Sequence, residues 1–347
     1  VSGLLGRAGI KLKDIHLGIG GELIEKRYSA AVIPLLERGS KVISPHDIKK
    51  VQRQANLLGA NMDENVLHSF PQYYKVDDVN TALNPLGLYG RKIEINALLL
   101  LVNNTLLRNI VKAVNHAGYD VSNIFYASLS SAEASLSEYH RRQGCVLIDA
   151  GSMMSDILIF KDGQLKHVVN IPLGGEHVTS SIAGRLGLNF DLAEEIKKSY
   201  AFAISAEIPN DEEILIRRED GYVPIKKEII AQAIEPTISR FVDVIIEAIK
   251  NSGLYDEIRA GIIMTGGGSL LPGLSERVEQ ATGIPVKVGK VGIAVKKLLN
   301  APKYCAAAGL AQAGLNKSQG LASLSSGGAG LSARFSARLV ELYQEYF

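Results

Sequence analysis

The chain carries almost no surplus charge and very little cysteine. Its 38 Lys and Arg face 36 Asp and Glu, a formal charge of +2. That balance gives no pull towards nucleic acid, and no patch interleaves basic with aromatic residues. The two cysteines, Cys145 and Cys305, stand far apart in apolar surroundings without metal-ligand spacing. Such usage predicts buried free thiols in a reducing compartment rather than a disulfide framework. Long hydrophobic runs are missing too. The longest, ALLLLV at Ala97–Val102, is far too short to span a bilayer, and nothing near Val1 has the pattern of a signal peptide. The chain starts with Val in a segment that reads as the end of a helix, so the natural N-terminus is expected to lie upstream.

What the chain does have is material for a large core. With 347 residues, 46% of them hydrophobic, two domains are expected. DIHLGIGG (14–21) reads as a strand closed by a glycine turn, and SAAVIPL (29–35) as a second extended piece. SPHDIKKVQRQANLLG (44–59) opens with a Ser cap and Pro and continues at helical period. NVLHSFPQYYKVDD (65–78) is strand-like, NPLGLYG (84–90) a loop, KIEINALLLLVNN (92–104) a buried strand and TLLRNIVKAVNHAGYD (105–120) an amphipathic helix. Further on come a strand, a Gly-Gly turn and a helix in 165–187, then a charged helix in 190–200. A polar excursion of hairpins is read in 206–225, and a long helix containing Pro236, with a bend expected there, in 227–253. A buried strand, glycine turn and helix occupy 260–283. Glycine turns repeatedly end a strand where a helix begins, which predicts an α/β fold with ligands at the strand carboxyl ends.

Three stretches carry possible chemistry. IIMTGGGSLLPG ends a strand in Thr265 and three glycines, Gly266, Gly267 and Gly268, where backbone can approach a flat or phosphorylated ligand. By itself such a turn is weak evidence against a plain strand-to-helix connection. AEEIKK places Glu194 and Lys197 on one helix face, a spacing that a solvated ion pair would also show. DAGSMMSD (149–156) lies between the apolar runs CVLI and ILIF and reads as a hairpin. His16 and His68 have no second ligand at metal spacing and are read as packed or surface residues.

In this order and spacing the segments resemble the actin-like ATPase superfamily. The chain is more narrowly similar to the FtsA family of bacterial division proteins. The resemblance runs from about Ile10 to Gly309, with a matching tail. It includes LGIGGELIEKRYS, VLHSFPQYYKVDD, NPLGLYGRKIEI, LIDAGSMMSDILIFKDGQLKHVVNIPLGGEHVTSSIA, AEEIKKSYA and GIIMTGGGSLLPGL. It implies a two-lobed actin-like ATPase fold of the α/β class, with an inserted small α+β subdomain and a C-terminal amphipathic helix. The expected division is a first-lobe core at 1–11 and 93–145 and the inserted subdomain at 12–92. The second-lobe core is expected at 146–189 and 260–314, its peripheral subdomain at 190–259, a flexible Ser/Gly-rich linker at 315–330 and the terminal helix at 331–347.

The resemblance also implies an ATP site with Mg2+. Asp149, which would orient magnesium-bound water, and Gly151 match the start of the second phosphate loop. Gly174 and Gly175 match the turn facing the nucleotide, Glu194 and Lys197 the ribose and adenine contacts, and Gly266, Gly267 and Gly268 the adenosine loop. The family pattern is close to D-x-G-G-G-T-T-D, whereas here Ser152, Met153, Met154 and Ser155 follow Gly151. Met tolerates neither positive φ nor close phosphate oxygens as glycine does, while Ser155 is expected to restore one polar contact. Weakened phosphate binding and little hydrolysis are therefore expected, the more so because the family's first phosphate hairpin falls upstream of Val1.

On a helical wheel Leu331, Phe335, Leu339, Leu342 and Tyr346 share one face of the last 17 residues, which fits interfacial membrane binding. Docking on the chain's own domain or another chain is the alternative. Two Arg are balanced there by two Glu, so binding would rest mainly on apolar burial. The resemblance implies a peripheral protein on the cytoplasmic side of the cell membrane, at the division site. It would self-associate into filaments, hold the C-terminal tail of FtsZ and meet other division proteins. The alternatives are a PilM-like adaptor of type IV pilus assembly and, of another class, a kinase of the same superfamily. A kinase would need an intact phosphate clamp and a general base.

Overall fold

A computed structural model describes residues 13–35, 39–204, 212–218, 221–291 and 301–323. The chain forms two compact units, Val1–Ser130 with Ala307–Phe347, and Ser131–Ala306.

In the first unit the order is β1 (Asp14–Ile19), β2 (Glu25–Pro34), β3 (Lys41–Val42), α1 (Pro45–Gly59), β4 (Glu64–Val76), β5 (Asn80–Ala82), β6 (Tyr89–Gly90), β7 (Lys92–Asn103), α2 (Asn104–His116) and β8 (Asp120–Tyr126). Strands β2, β7, β4 and β5 form one antiparallel sheet in that order. Along β2, Ser29, Ala31 and Ile33 are buried while Tyr28, Ala30 and Val32 are exposed, the two-residue alternation of a half-covered strand. Helix α1 covers the buried side, where Val51 and Ala55 pack with Ile93, Ile95 and Leu99. It starts on a capping box: Asp47 accepts the Ser44 N–H at 3.0 Å and its hydroxyl at 2.6 Å.

Two expectations about this region need correcting. Strand β7 was expected in the first-lobe core, yet it is hydrogen-bonded along its length between β2 and β4 and so belongs to the insert's sheet. Conversely β1, expected in the insert, pairs in parallel with β8. His68 reaches from β4 towards β8. Its Nε2 accepts the Tyr126 N–H at 3.1 Å, and its ring stacks on Phe125. Burial brings its pKa down to about 4. The ring is packed against its neighbours, as the sequence reading expected.

Helix α3 (Ala127–Ser135) spans the division between units. The second unit continues with α4 (Glu138–Gln143), β9 (Cys145–Ala150), β10 (Ser155–Lys161), β11 (Gln164–Ile171), α5 (Gly175–Leu186), α6 (Phe190–Tyr200), β12 (Glu213–Arg218), β13 (Gly221–Lys226), α7 (Lys227–Asn251), β14 (Ile262–Thr265), α8 (Leu274–Thr282) and β15 (Val286–Val288). Residues 131–145 go with this unit because the β10–β11 turn is tied to α4. The Asp162 and Gly163 amides donate to the Arg142 and Arg141 carbonyls at 3.3 and 3.0 Å. The sheet order is β11-β10-β9-β14-β15, with β14 parallel to both neighbours. Buried Val146, Ile148, Ile157, Ile159, Ile262 and Met264 form its core. Ile230, Ile234, Ile238, Phe241, Ile245 and Ile249 add a buried stripe at helical spacing along α7, which continues past Pro236. The polar excursion is the antiparallel hairpin β12–β13.

Both cysteines are buried free thiols. Burial pushes Cys145 up to about 12; burial and then the charge of Asp149 push Cys305 up to about 11. Helix α9 (Cys305–Ser323) overturns part of one expectation, since the segment read as linker from residue 315 is helical as far as Ser323. The Ala- and Leu-rich start propagates the helix, and each of its glycines, Gly309, Gly314 and Gly320, costs only about 1 kcal/mol in the interior. The rest of that linker and the membrane-facing set Leu331, Phe335, Leu339, Leu342 and Tyr346 lie outside the described residues.

Candidate functional site

The turns singled out from the sequence meet at one end of the second unit's sheet. Asp149 is in register with Asp156 across the β9–β10 hairpin and with Thr265 on β14, so the phosphate-loop candidate and the glycine turn leave the sheet side by side. Gly151 closes the hairpin by donating its N–H to the Met154 carbonyl at 3.0 Å. A Cβ on Gly151 would stand 2.6 Å from that oxygen, so a side chain is excluded there. None of residues 151–155 has positive φ. The loop therefore accommodates Met153 and Met154 without the left-handed backbone that glycine would have allowed, and the backbone-strain part of the sequence argument falls away. Met153 is 64% exposed.

The hairpin in turn grips the start of α5. Gly175 and Glu176 donate their N–H groups to the Gly151 and Ser152 carbonyls at 3.0 and 2.8 Å. A Cβ on Gly174 would lie 2.3 Å from the Ser152 oxygen. The Ser152 hydroxyl donates to Glu176 Oε1 at 2.9 Å. Ser155, expected to offer its hydroxyl to a phosphate, is 1% exposed and donates to the Leu173 carbonyl at 2.7 Å. It fastens the Gly-Gly turn to the hairpin, so the expected phosphate contact is not what its hydroxyl makes here.

From the other side of α5 comes α6. Lys197 Nζ donates to the Gly175 carbonyl at 2.9 Å and to Thr179 Oγ1 at 2.8 Å, and pairs with Glu194 Oε2 at 2.6 Å. Glu194 also accepts from Thr179 and pairs with Lys198 at 3.0 Å. Burial alone would raise the Glu194 pKa, but hydrogen bonds from Lys197, Thr179 and Lys198 outweigh it and bring it down to about 2. A carboxylate depressed when folded contributes stability at neutral pH, and that stability is lost as pH falls from 4.5 towards about 2. Glu194→Gln is accordingly expected to remove roughly 1–2 kcal/mol of the acid-side loss, after allowance for solvent screening. Urea midpoints measured across that pH range check it.

Gly266 completes the arc. Its φ is +82°, and a Cβ would lie 2.3 Å from the Ala150 carbonyl oxygen and 2.8 Å from Asp149 Oδ1. A Cβ on Gly268 would touch the Ala150 Cβ at 3.0 Å, whereas above Gly267 nothing lies within 4 Å. Three residues were given no role by the sequence reading. Thr179 joins Lys197 to Glu194. Ser131 donates to Asp149 Oδ2 at 2.7 Å. Thr265 Oγ1 is buried and has no hydrogen-bond partner among the described residues. A Ser-rich helix ahead of the hairpin was the available signal for Ser131; for the two threonines the signal was position alone.

A nucleotide with magnesium would use these residues in a specific way. The open face above Gly267 would leave room for a flat group, and Asp149 would offer one carboxylate to a hydrated cation, the manner in which magnesium is often held. Among the described residues no group of three or more His, Cys, Asp or Glu could hold a metal by itself. The amides of Gly175 and Glu176, which a helix N-terminus would offer to phosphate, are already bonded to the hairpin. Among the described residues no helix is long and apolar enough to cross a membrane.

Comparison with known proteins bears on the family and the fold. The family model "Cell division protein FtsA" matches residues 146–309, and "SHS2 domain inserted in FTSA" matches residues 21–101. The Pseudomonas aeruginosa cell division protein FtsA is 30% identical over 331 residues, covering 94% of this chain and 78% of that relative. The Escherichia coli K12 protein of the same name is 28% identical, over 81% and 69%. Among solved structures, the PilM–PilN type IV pilus biogenesis complex aligns with a TM-score of 0.61 at 15% identity, covering 90% of this chain and 82% of that one. MreB5 of Spiroplasma citri bound to AMPPNP aligns at 0.51 and 20%, over 63% and 67%. These structural likenesses give the fold, that of the actin-like ATPases, and the family model gives the SHS2 insertion within it. Sequence and domain order give the family: the chain belongs to the FtsA cell division proteins.

Proposed function

We propose that this division protein binds ATP in the second unit's cradle with little hydrolysis and links FtsZ filaments to the inner face of the cell membrane. The observation that carries the nucleotide part is the continuous chain of contacts from Gly266 through Asp149, Gly151 and Gly175 to Lys197 and Glu194. One flat, phosphorylated ligand with a hydrated cation would touch all of them. Because the α5 amides are engaged by the hairpin and two methionines occupy its tip, phosphate would be held weakly and water poorly aligned for attack. MreB5, of the same fold, was crystallised with AMPPNP.

The adaptor role follows from family membership together with the amphipathic face of 331–347. Self-association into filaments and contacts with other division proteins belong to the same reading, the peripheral subdomain about β12, β13 and α7 being the place for the FtsZ C-terminal tail. Vesicle flotation with purified FtsZ tests it. The full chain with ATP is expected to carry FtsZ to the top of the gradient, and a chain ending near Gly320 to leave it at the bottom. FtsZ remaining at the bottom with the full chain overturns the adaptor reading. A PilM-like role would instead show the same flotation for both lengths. Phosphotransfer at a rate ordinary for kinases would overturn the scaffold reading.

A further inference from the structure

We infer that Ser131 is the residue that sets Asp149 in the rotamer needed to receive the hydrated cation of a bound nucleotide, so that Ser131 governs how strongly magnesium tightens nucleotide binding. The inference rests on the nucleotide reading above.

Ser131 lies in α3 and is fully buried. Serines in helix interiors commonly bond back to the carbonyl four residues earlier. Ser130 does so to Tyr126 and Ser135 does so to Ser131 itself, at 3.4 and 2.6 Å. Ser131 instead reaches out of its helix to Asp149 Oδ2 at 2.7 Å. A hydroxyl donating to a carboxylate is a charge-assisted bond, stronger and more orienting than a neutral one. It pins one carboxylate oxygen, while Oδ1 lies on the side of the Gly266 turn, 2.8 Å from where a Cβ on Gly266 would stand.

A second observation points the same way. Thr265 is the in-register neighbour of Asp149 on β14, is fully buried, and its hydroxyl has no hydrogen-bond partner among the described residues. Buried hydroxyls without partners are uncommon, because each loses its water without a replacement hydrogen bond. A fixed carboxylate and an unpartnered hydroxyl at one register position form a polar end to the sheet, beside the glycine turn. The ligand chemistry that suits it is a water-clad divalent cation attached to a phosphorylated nucleotide.

The test compares ATP affinity in Mg2+ and in EDTA for the unmodified chain, Ser131→Ala and Ser131→Thr, alongside their unfolding midpoints without nucleotide. Outer-sphere partners of metal sites are worth about tenfold or more in metal affinity. Ser131→Ala is expected to lose about tenfold of the Mg2+-dependent gain while its EDTA affinity and midpoint stay as in the parent, and Ser131→Thr to recover the gain. An undiminished gain in Ser131→Ala overturns the inference. So does a parallel fall of EDTA affinity and midpoint in both variants, which would mark a merely structural serine. A parent that binds ATP equally in Mg2+ and EDTA overturns the inference alone. A parent that binds no ATP overturns the nucleotide reading as well.

Discussion

Replacing Gly266 by alanine is expected to destabilise the second unit by about 4 kcal/mol and to abolish nucleotide binding. Two costs add there. The backbone holds φ at +82°, which a residue with a Cβ adopts at about 1–3 kcal/mol. The new methyl would also sit 2.3 Å from the Ala150 carbonyl oxygen, and relieving such overpacking costs about 1–3 kcal/mol more. The nearest neighbour is backbone that cannot swing aside, since Ala150 ends the central strand β9. Gly267→Ala is the internal control. Nothing lies within 4 Å of its Cβ position, so its effect is expected within about 0.5 kcal/mol. Hydrogen exchange of the β9 and β14 amides distinguishes the two. Equal protection in both variants would mean that the close approach of the turn to Asp149 is not a constraint on the unit.

Acidification from pH 6.5 to about 4 is expected to weaken the first unit through His68 by on the order of 2 kcal/mol. The sign follows from burial. The ring's folded pKa is brought down from 6.5 to about 4, so between those values the unfolded chain binds a proton that the folded one refuses. The contribution is intact above pH 6.5 and is lost as pH falls. Protonation also removes the acceptor that holds the Tyr126 N–H, loosening the tie between β4 and β8. An NMR titration of the imidazole should give a midpoint near 4, and denaturant midpoints of the first unit should fall over the same range. A midpoint near 6.5 would mean that the ring is hydrated and the tie is not formed.

Much of the second unit was legible because its signals are local. Alternating and continuous apolar runs marked β9, β10 and β14, glycine runs marked the turns, and the spacing of Glu194 and Lys197 put them on one face of α6. What escaped was long-range. The use of the Gly175 and Glu176 amides by the hairpin, and of the Ser155 hydroxyl by Leu173, depends on residues some twenty positions apart, whose approach no periodicity announces. In the first unit β7 was recognised as a strand but assigned to the wrong sheet. Its run of buried residues, Ala97 to Val102, is what a strand covered on both faces shows in any sheet. Strand β8 was passed over because Ser122 and Asn123 interrupt its apolar pattern, and its pairing with β1 spans about a hundred residues. The Ser- and Gly-bearing end of α9 shows the opposite failure, in which composition suggested coil and an established helix ran on through it.

The account depends on three turns of the second unit and the Glu194–Lys197 face of α6 forming one nucleotide cradle, and photolabelling with 8-azido-ATP followed by peptide mapping tests this most directly. Saturable labelling, competed by ATP and confined to residues 190–200 and 266–271, is the predicted result. Saturable labelling elsewhere on the chain, or none at millimolar probe, would contradict it.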